Sequence, residues 1–168
     1  FGMPKDREEA VRYYQLSAAQ GLIEAEMKLA EAFNQGDGIK ADFKQAFVYY
    51  MRAAKKGNVD AAYNLGMMLQ AGIGTQVDLQ SAANWYEIAA KKGQLESQVN
   101  LGLLYVGGES FLQDFERAHM WFNIAAANGH KDAKDFRDRL SIKLTNQTIA
   151  SAQKKARICL ESNFSKCN

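Results

Sequence analysis

The chain is poor in proline, cysteine and histidine. Its 168 residues contain one proline, Pro4, two cysteines, Cys159 and Cys167, and two histidines, His119 and His130. A single proline leaves almost the whole length free to form helices, because every other residue keeps its backbone N–H and its freedom of φ. No apolar run approaches the roughly 20 residues of a helical membrane span, so no span is expected. Lys and Arg total 21 against 19 Asp and Glu, a net charge of +2. That balance lacks the basic surface of a nucleic-acid binder, and no nucleic acid is expected as partner. The glycine pairs in GDG and GIG follow no strand and precede no phosphate-binding lysine. Neither histidine has a Ser, Cys or Asp signature beside it, so no catalytic residue is assigned. Two cysteines without a neighbouring histidine are too few for a zinc site. No metal and no cofactor is expected. What remains is 47% apolar and 24% charged, enough for one folded domain with a sizeable core.

What is abundant is repetition. Gly21, Gly57, Gly93 and Gly129 stand 36 residues apart. The same step joins Asp6, Asp42, Asp78 and Asp114, then Ala10, Ala46, Ala82 and Ala118, then Tyr14, Tyr50, Tyr86 and Phe122. A fixed step of this length marks a stacked array, in which no unit buries its apolar face alone.

Each repeat reads as two helices. In one of them the first helix spans about residues 60–70, with Ala61, Leu65, Met68 and Leu69 at helical spacing. Gly72 and Gly74 end it, and Asp78 starts the second helix as an N-cap. Asp6 with Glu9 and Asp42 with Gln45 repeat that cap with capping-box spacing. The second helix runs on to Gly93, with Lys91 and Lys92 in its last turn, where they complement the helix dipole. Gly66 and Gly102 fall inside first helices, where glycine costs about 1 kcal/mol relative to alanine. They are expected where another helix packs closely. Residues 1–6 align with 37–42: Gly2 with Gly38, Met3 with Ile39, Asp6 with Asp42. The chain is therefore expected to open in the loop of a repeat whose first half, with any signal peptide, lies upstream.

These columns resemble the Sel1-like repeat family, relatives of the tetratricopeptide repeats. The pattern is carried by Ala61, Leu65, Gly66, Leu69, Gly72, Gly74, Asp78, Ala82, Trp85, Tyr86, Ala89, Ala90 and Gly93, with Gly108 matching and Ser110 departing from the second loop glycine. The resemblance implies an all-α fold, a right-handed α/α superhelical solenoid with a C-terminal capping helix. It divides the chain into an array over 1–133 and capping helices with a tail over 134–168. The array comprises a partial repeat 1–24 and full repeats 25–60, 61–96 and 97–132. After residue 133 the pattern fades: Arg137 takes the column of Leu29, Leu65 and Leu101. KDAKDFRDRL reads as a charged amphipathic cap. Thr145 reads as the N-cap of a last helix over about 146–161, with Ile149, Ala152, Ala156 and Leu160 on one face.

The ending resembles the closing segment of bacterial Sel1-like proteins, which often carries a similar cysteine pair. Cys159 and Cys167 read as a disulfide that staples the tail to the last helix; the other reading is two cytosolic thiols. The bridge and the tail resemblance point to a periplasmic or secreted protein, with the cytoplasm left open.

The resemblance also implies a non-enzymatic scaffold or adaptor that binds a protein or peptide segment, with a monomer favoured. The alternative it implies is an envelope inhibitor or immunity protein that neutralises a toxic enzyme. In tetratricopeptide-like arrays the first helices line a concave groove. Carried over, the groove positions are Met27, Glu31 and Asn34, then Tyr63, Asn64, Met67 and Gln70, then Val99, Asn100, Leu103 and Val106. They contain no lysine, so no carboxylate clamp is expected.

Overall fold

The computed structural model describes residues 4–107 and 113–167, and those residues form helices joined by short turns, with no strand among them. The expectations placed on Gly2, Met3, Gly108 and Ser110 lie outside the described residues. The chain divides into two compact units at Asp78 and Leu79. The first holds α1 (Pro4–Ala19), α2 (Ile23–Gln35), α3 (Phe43–Lys55) and α4 (Val59–Ala71). The second holds α5 (Leu79–Ala90), α6 (Leu95–Gly107), α7 (Phe115–Ala127), α8 (Ala133–Ser141) and α9 (Asn146–Glu161). Within the first unit α1 packs on α2, α2 on α3, and α3 on α4. Within the second α5 packs on α6, while α7 is covered by α6, α8 and α9.

The repeating columns become the core. Leu29, Leu65 and Leu101, and Ala46, Ala82 and Ala118, have no exposed surface. Tyr50, Tyr86 and Phe122 are buried beside them. Burial pushes the Tyr50 phenol up to about 12, aided by the nearby Glu31 charge. The turns follow the same period. Gly21, Gly57, Gly93 and Gly129 have φ of 83°, 91°, 86° and 95°, the left-handed region glycine enters without strain. At Gly74 the reason is also steric, since a Cβ there would collide with the Phe43 carbonyl at the start of α3.

The second helices start largely as their sequences dictate. The Asp42 carboxylate accepts from the N–H groups of Lys44 at 3.0 Å and Gln45 at 3.1 Å, and Asp114 accepts from that of Arg117 at 2.8 Å. The reciprocal half of the capping box is replaced. The Asp42, Asp78 and Asp114 N–H groups donate instead to Phe33, Leu69 and Tyr105 at 2.9, 2.9 and 3.1 Å. Each turn is thereby tied back to the end of its first helix. Two expectations are corrected. Asp6 lies inside the first turn of α1, not ahead of it. Lys91 and Lys92 follow α5, which ends at Ala90, and Lys91 pairs with Glu87 at 2.6 Å.

The interior glycine of α6 is a packing position. A Cβ on Gly102 would meet the Phe122 ring of α7 at 2.6 Å. The missing side chain lets that ring lie directly on the α6 backbone. At the far end, Thr145 Oγ1 accepts from the Thr148 N–H at 3.1 Å and caps α9. Ala152 and Ala156 of α9 are buried, with Ile149 and Leu160 half-buried.

Candidate functional site

The first helices of the repeats are α2, α4 and α6, and α8 follows the last of them at the same 36-residue step. In the first unit the groove positions are uneven. Met27 of α2 is 9% exposed and belongs to the core. Glu31 is half-buried and paired with Lys28 at 2.8 Å, and Asn34 is exposed. On α4, Tyr63 and Asn64 are half-buried, Gln70 is exposed, and Met67 is 36% exposed.

In the second unit Val99 is a core residue and Asn100 is half-buried. Leu103, 41% exposed, and the half-buried Val106 line an open pocket of about 190 Å³. Phe122 of α7, Phe136, Arg139 and Leu140 of α8, and Lys143 complete its lining. The Phe122 and Phe136 rings are tilted by 39° with centroids 5.7 Å apart. The floor is therefore hydrocarbon, while both cations are exposed.

The groove positions read from the sequence include Leu103 and Val106 but not the α8 side of this lining. The 36-residue step, continued from Asn64 and Asn100, reaches Phe136. Continued from Met67 and Leu103 it reaches Arg139, and from Gln70 and Val106 it reaches Ile142, which is 86% exposed. The core column does not persist, since Arg137 stands where Leu29, Leu65 and Leu101 stand, yet α8 places Phe136 and Arg139 beside Leu103 in this lining.

The other arrangement with chemical potential is a Ser–His–Asn line beneath α8. His119 is 1% exposed. Its Nε2 lies 3.0 Å from Ser141 Oγ and its Nδ1 lies 2.8 Å from Asn123 Nδ2. A nucleophilic serine needs the imidazole lone pair on the nitrogen facing it. Here the bonds run the other way. Asn123 donates its amide to Nδ1, so Nε2 carries the proton and donates it to Ser141. The Ser141 hydroxyl donates in turn to the Arg137 carbonyl at 2.9 Å. Burial, then the Arg137 charge, pulls the histidine below its ordinary value, against a smaller opposing pull from Asp138. The arrangement is a neutral brace between α7 and α8. The second histidine, His130, accepts from the Asp132 N–H at 3.3 Å in the turn before α8.

The tail is closed covalently. Cys159 and Cys167 form a disulfide with Cα atoms 4.5 Å apart, and both are buried. The Phe164 N–H and the Ser162 hydroxyl donate to the Cys159 carbonyl at 2.8 and 3.0 Å. Such a pair suggests an oxidising compartment. Among the described residues no group of three His, Cys, Asp or Glu is disposed to hold a metal, and no helix is long and apolar enough to cross a membrane.

Helix pairs in this register, closed by αL glycines and packed through alanine columns, decide the family. The Sel1 repeat family matches residues 1–22, 23–58, 59–94 and 95–130. The chain belongs to the Sel1 repeat family. Sel1 repeat proteins generally mediate protein–protein interaction, and the family is typically a non-catalytic helical scaffold. Among solved structures, this Sel1 chain is similar to a protective antigen present in uropathogenic Escherichia coli strains that displays an SLR fold. That match has 30% identity and a TM-score of 0.82, over 95% of this chain and 35% of the antigen. It is also similar to a Sel1 repeat protein from Oxalobacter formigenes, with 26% identity and a TM-score of 0.75 over 88% and 64% of the two chains. The chain thus spans less than two thirds of either relative. No curated protein matches it significantly.

Proposed function

We propose that this Sel1 repeat chain is a non-enzymatic scaffold or adaptor that binds a segment of another protein on its first-helix faces. In the second unit the anchor is the pocket at Leu103 and Val106. The observation that carries the reading is the open hydrocarbon floor beside Leu103 and Val106, whose columns change from repeat to repeat. An apolar pocket left open on a repeat face offers burial that only a partner can complete. Met67 in the first unit adds an adaptable exposed side chain to the α4 face. The buried disulfide supports a periplasmic or secreted setting.

The test is affinity capture from the native organism with the full-length protein, read by mass spectrometry. The wild type is compared with Leu103→Glu and with the Tyr63→Ala/Met67→Ala double variant, each shown to be folded by circular dichroism. A dominant partner that is lost with Leu103→Glu supports the reading. Undiminished recovery by both folded variants overturns it.

A further inference from the structure

The pocket of the second unit carries chemistry beyond its apolar floor. Arg139 and Lys143 line it and are exposed, and neither side chain makes an ion pair or hydrogen bond with a described residue. They are the cations that line the apolar pocket, whereas three others of this unit are held by carboxylates away from it. Arg137 pairs with Asp138 at 2.7 Å, Lys155 with Glu116 at 2.9 Å, and Arg117 with Asp114 at 3.3 Å. Arg139 stands in the last turn of α8 and complements its dipole. That effect needs only proximity and leaves the guanidinium donors unused. A guanidinium presents five donors in a planar fork suited to a carboxylate, and an ammonium presents three more.

We propose that this pocket binds an acidic segment of a partner protein, taking one apolar side chain between Leu103 and Phe136 and the flanking carboxylates on Arg139 and Lys143. The inference rests on the reading of the first-helix face as a binding surface and specifies its ligand. The floor gains by removing an apolar side chain from water, which is indifferent to charge. The rim selects by sign: carboxylates beside the anchor gain two ion pairs, while lysines there meet like charges. An anchor without charge fills the floor and leaves the rim cations with water alone. A carboxylate without an anchor meets only exposed cations, which contribute little by themselves.

The experiment uses the full chain and fluorescein-labelled octapeptides, followed by fluorescence anisotropy. GEDLFEDG carries both features, GQNLFQNG only the anchor, GEDSSEDG only the charge, and GKKLFKKG the reversed charge. GEDLFEDG is expected to bind about fivefold tighter than GQNLFQNG at low salt, the yield of two exposed ion pairs. That advantage should fade at about 0.3 M salt, where the screening length falls well below 10 Å. Arg139→Gln/Lys143→Gln should abolish the advantage and leave GQNLFQNG unaffected. Leu103→Glu should remove binding of both. Equal binding of GEDLFEDG, GQNLFQNG and GKKLFKKG overturns the proposal. So does saturable binding of dodecanoate at this pocket in a protein that ignores every peptide, which would assign it to a lipid. If a captured partner needs Leu103 but not the two cations, this inference alone fails. If it does not need Leu103, the reading of the face fails with it.

Discussion

Lys56, at the end of α3, places its ammonium 2.8 Å from Glu26 of α2, a carboxylate with no exposed surface. Arg52 Nε lies 2.9 Å from the other oxygen of Glu26, without the alignment of a hydrogen bond, and its Nη2 donates to the Ala18 carbonyl of α1 at 3.3 Å. Seventy-two residues on, two repeats later, the columns of Glu26 and Lys56 hold Gln98 and Asn128. There Asn128 Nδ2 donates to Gln98 Oε1 at 3.2 Å, and Gln98 Nε2 donates to the Ala90 carbonyl at 3.1 Å. Ala90 is the equivalent of Ala18. The amide supplies its own donor to that carbonyl, so no arginine is required, and Ile124 stands in the column of Arg52. The two units join their helices at the same place, one by charge and one by amides.

This equivalence makes the first unit convertible. Lys56→Ala should lower stability by about 1–3 kcal/mol, the cost of stripping a hydrogen-bonding partner from a buried charged group. The triple variant Glu26→Gln/Arg52→Ile/Lys56→Asn installs the set found in the second unit. It should unfold within about 1 kcal/mol of the wild type, since buried ion pairs can be replaced by well-fitted groups at little cost. Urea denaturation followed by circular dichroism measures both. A triple variant less stable than Lys56→Ala would show that the two units are not interchangeable here.

Gly102→Ala sets two effects against each other. Alanine is the better helix former by about 1 kcal/mol, but its Cβ would lie 2.6 Å from the Phe122 ring. Overpacking of a tight core costs about 1–3 kcal/mol, so a net loss is expected. Phe122→Leu in the same chain should recover part of it, because the shorter side chain vacates the contested space. A double-mutant cycle from urea midpoints reads the coupling. Additive effects would mean that the ring and the glycine do not meet.

How much was legible in the sequence follows from which physical causes are periodic. The αL glycines, the buried alanines and leucines and the caps at Asp42, Asp114 and Thr145 repeat because each repeat solves the same packing problem. A single chain therefore reveals them. The Glu26–Lys56 and Gln98–Asn128 joints escaped, because two chemically different pairs fill one pair of columns while a third repeat places Ala62 there. Met27 and Val99 sit on the face assigned to a partner yet are buried, since helical register alone cannot tell a groove position from one covered by the next helix. Phe136, Arg139 and Ile142 were reachable by continuing the step. The step itself reads as ended there, because Arg137 replaces the core leucine and the charged run around it reads as a solvated cap.

The disulfide should act on the last turn of the second unit rather than on its core. Cys159 and Cys167 are separated by eight residues, and closing a loop that short constrains the unfolded chain by about 2–3 kcal/mol. Reduction or Cys159→Ala/Cys167→Ala should lower the unfolding free energy by an amount of that order, with a correspondingly lower melting temperature. Amide exchange should rise first at Phe164, whose N–H donates to the Cys159 carbonyl. Hydrogen exchange read by mass spectrometry checks this. Unchanged protection of the tail after reduction would assign its order to its hydrogen bonds rather than to the bridge.

His119 gives the acid limb of stability a defined origin. Burial, followed by the Arg137 charge, holds it below its ordinary value of 6.5, so the unfolded chain takes up a proton more readily than the folded one. Stability is complete above that value and falls as pH drops through it. Protonation also puts a hydrogen on Nδ1, which now accepts from Asn123. Glu116 works in a lower range. The Ser151 hydrogen bond and then the Lys155 partner hold its carboxyl below its ordinary 4.5, so its contribution is lost only on further acidification. Between the two values the slope should belong mainly to the histidine. His119→Gln, which keeps a polar side chain beneath α8, should be less stable near neutrality yet lose less on going from about pH 7 to about pH 5. Thermal melts across that interval, with a ring-proton NMR titration of His119, measure it. Parallel losses in the two proteins, or an imidazole that titrates at its ordinary value, would remove His119 as the cause.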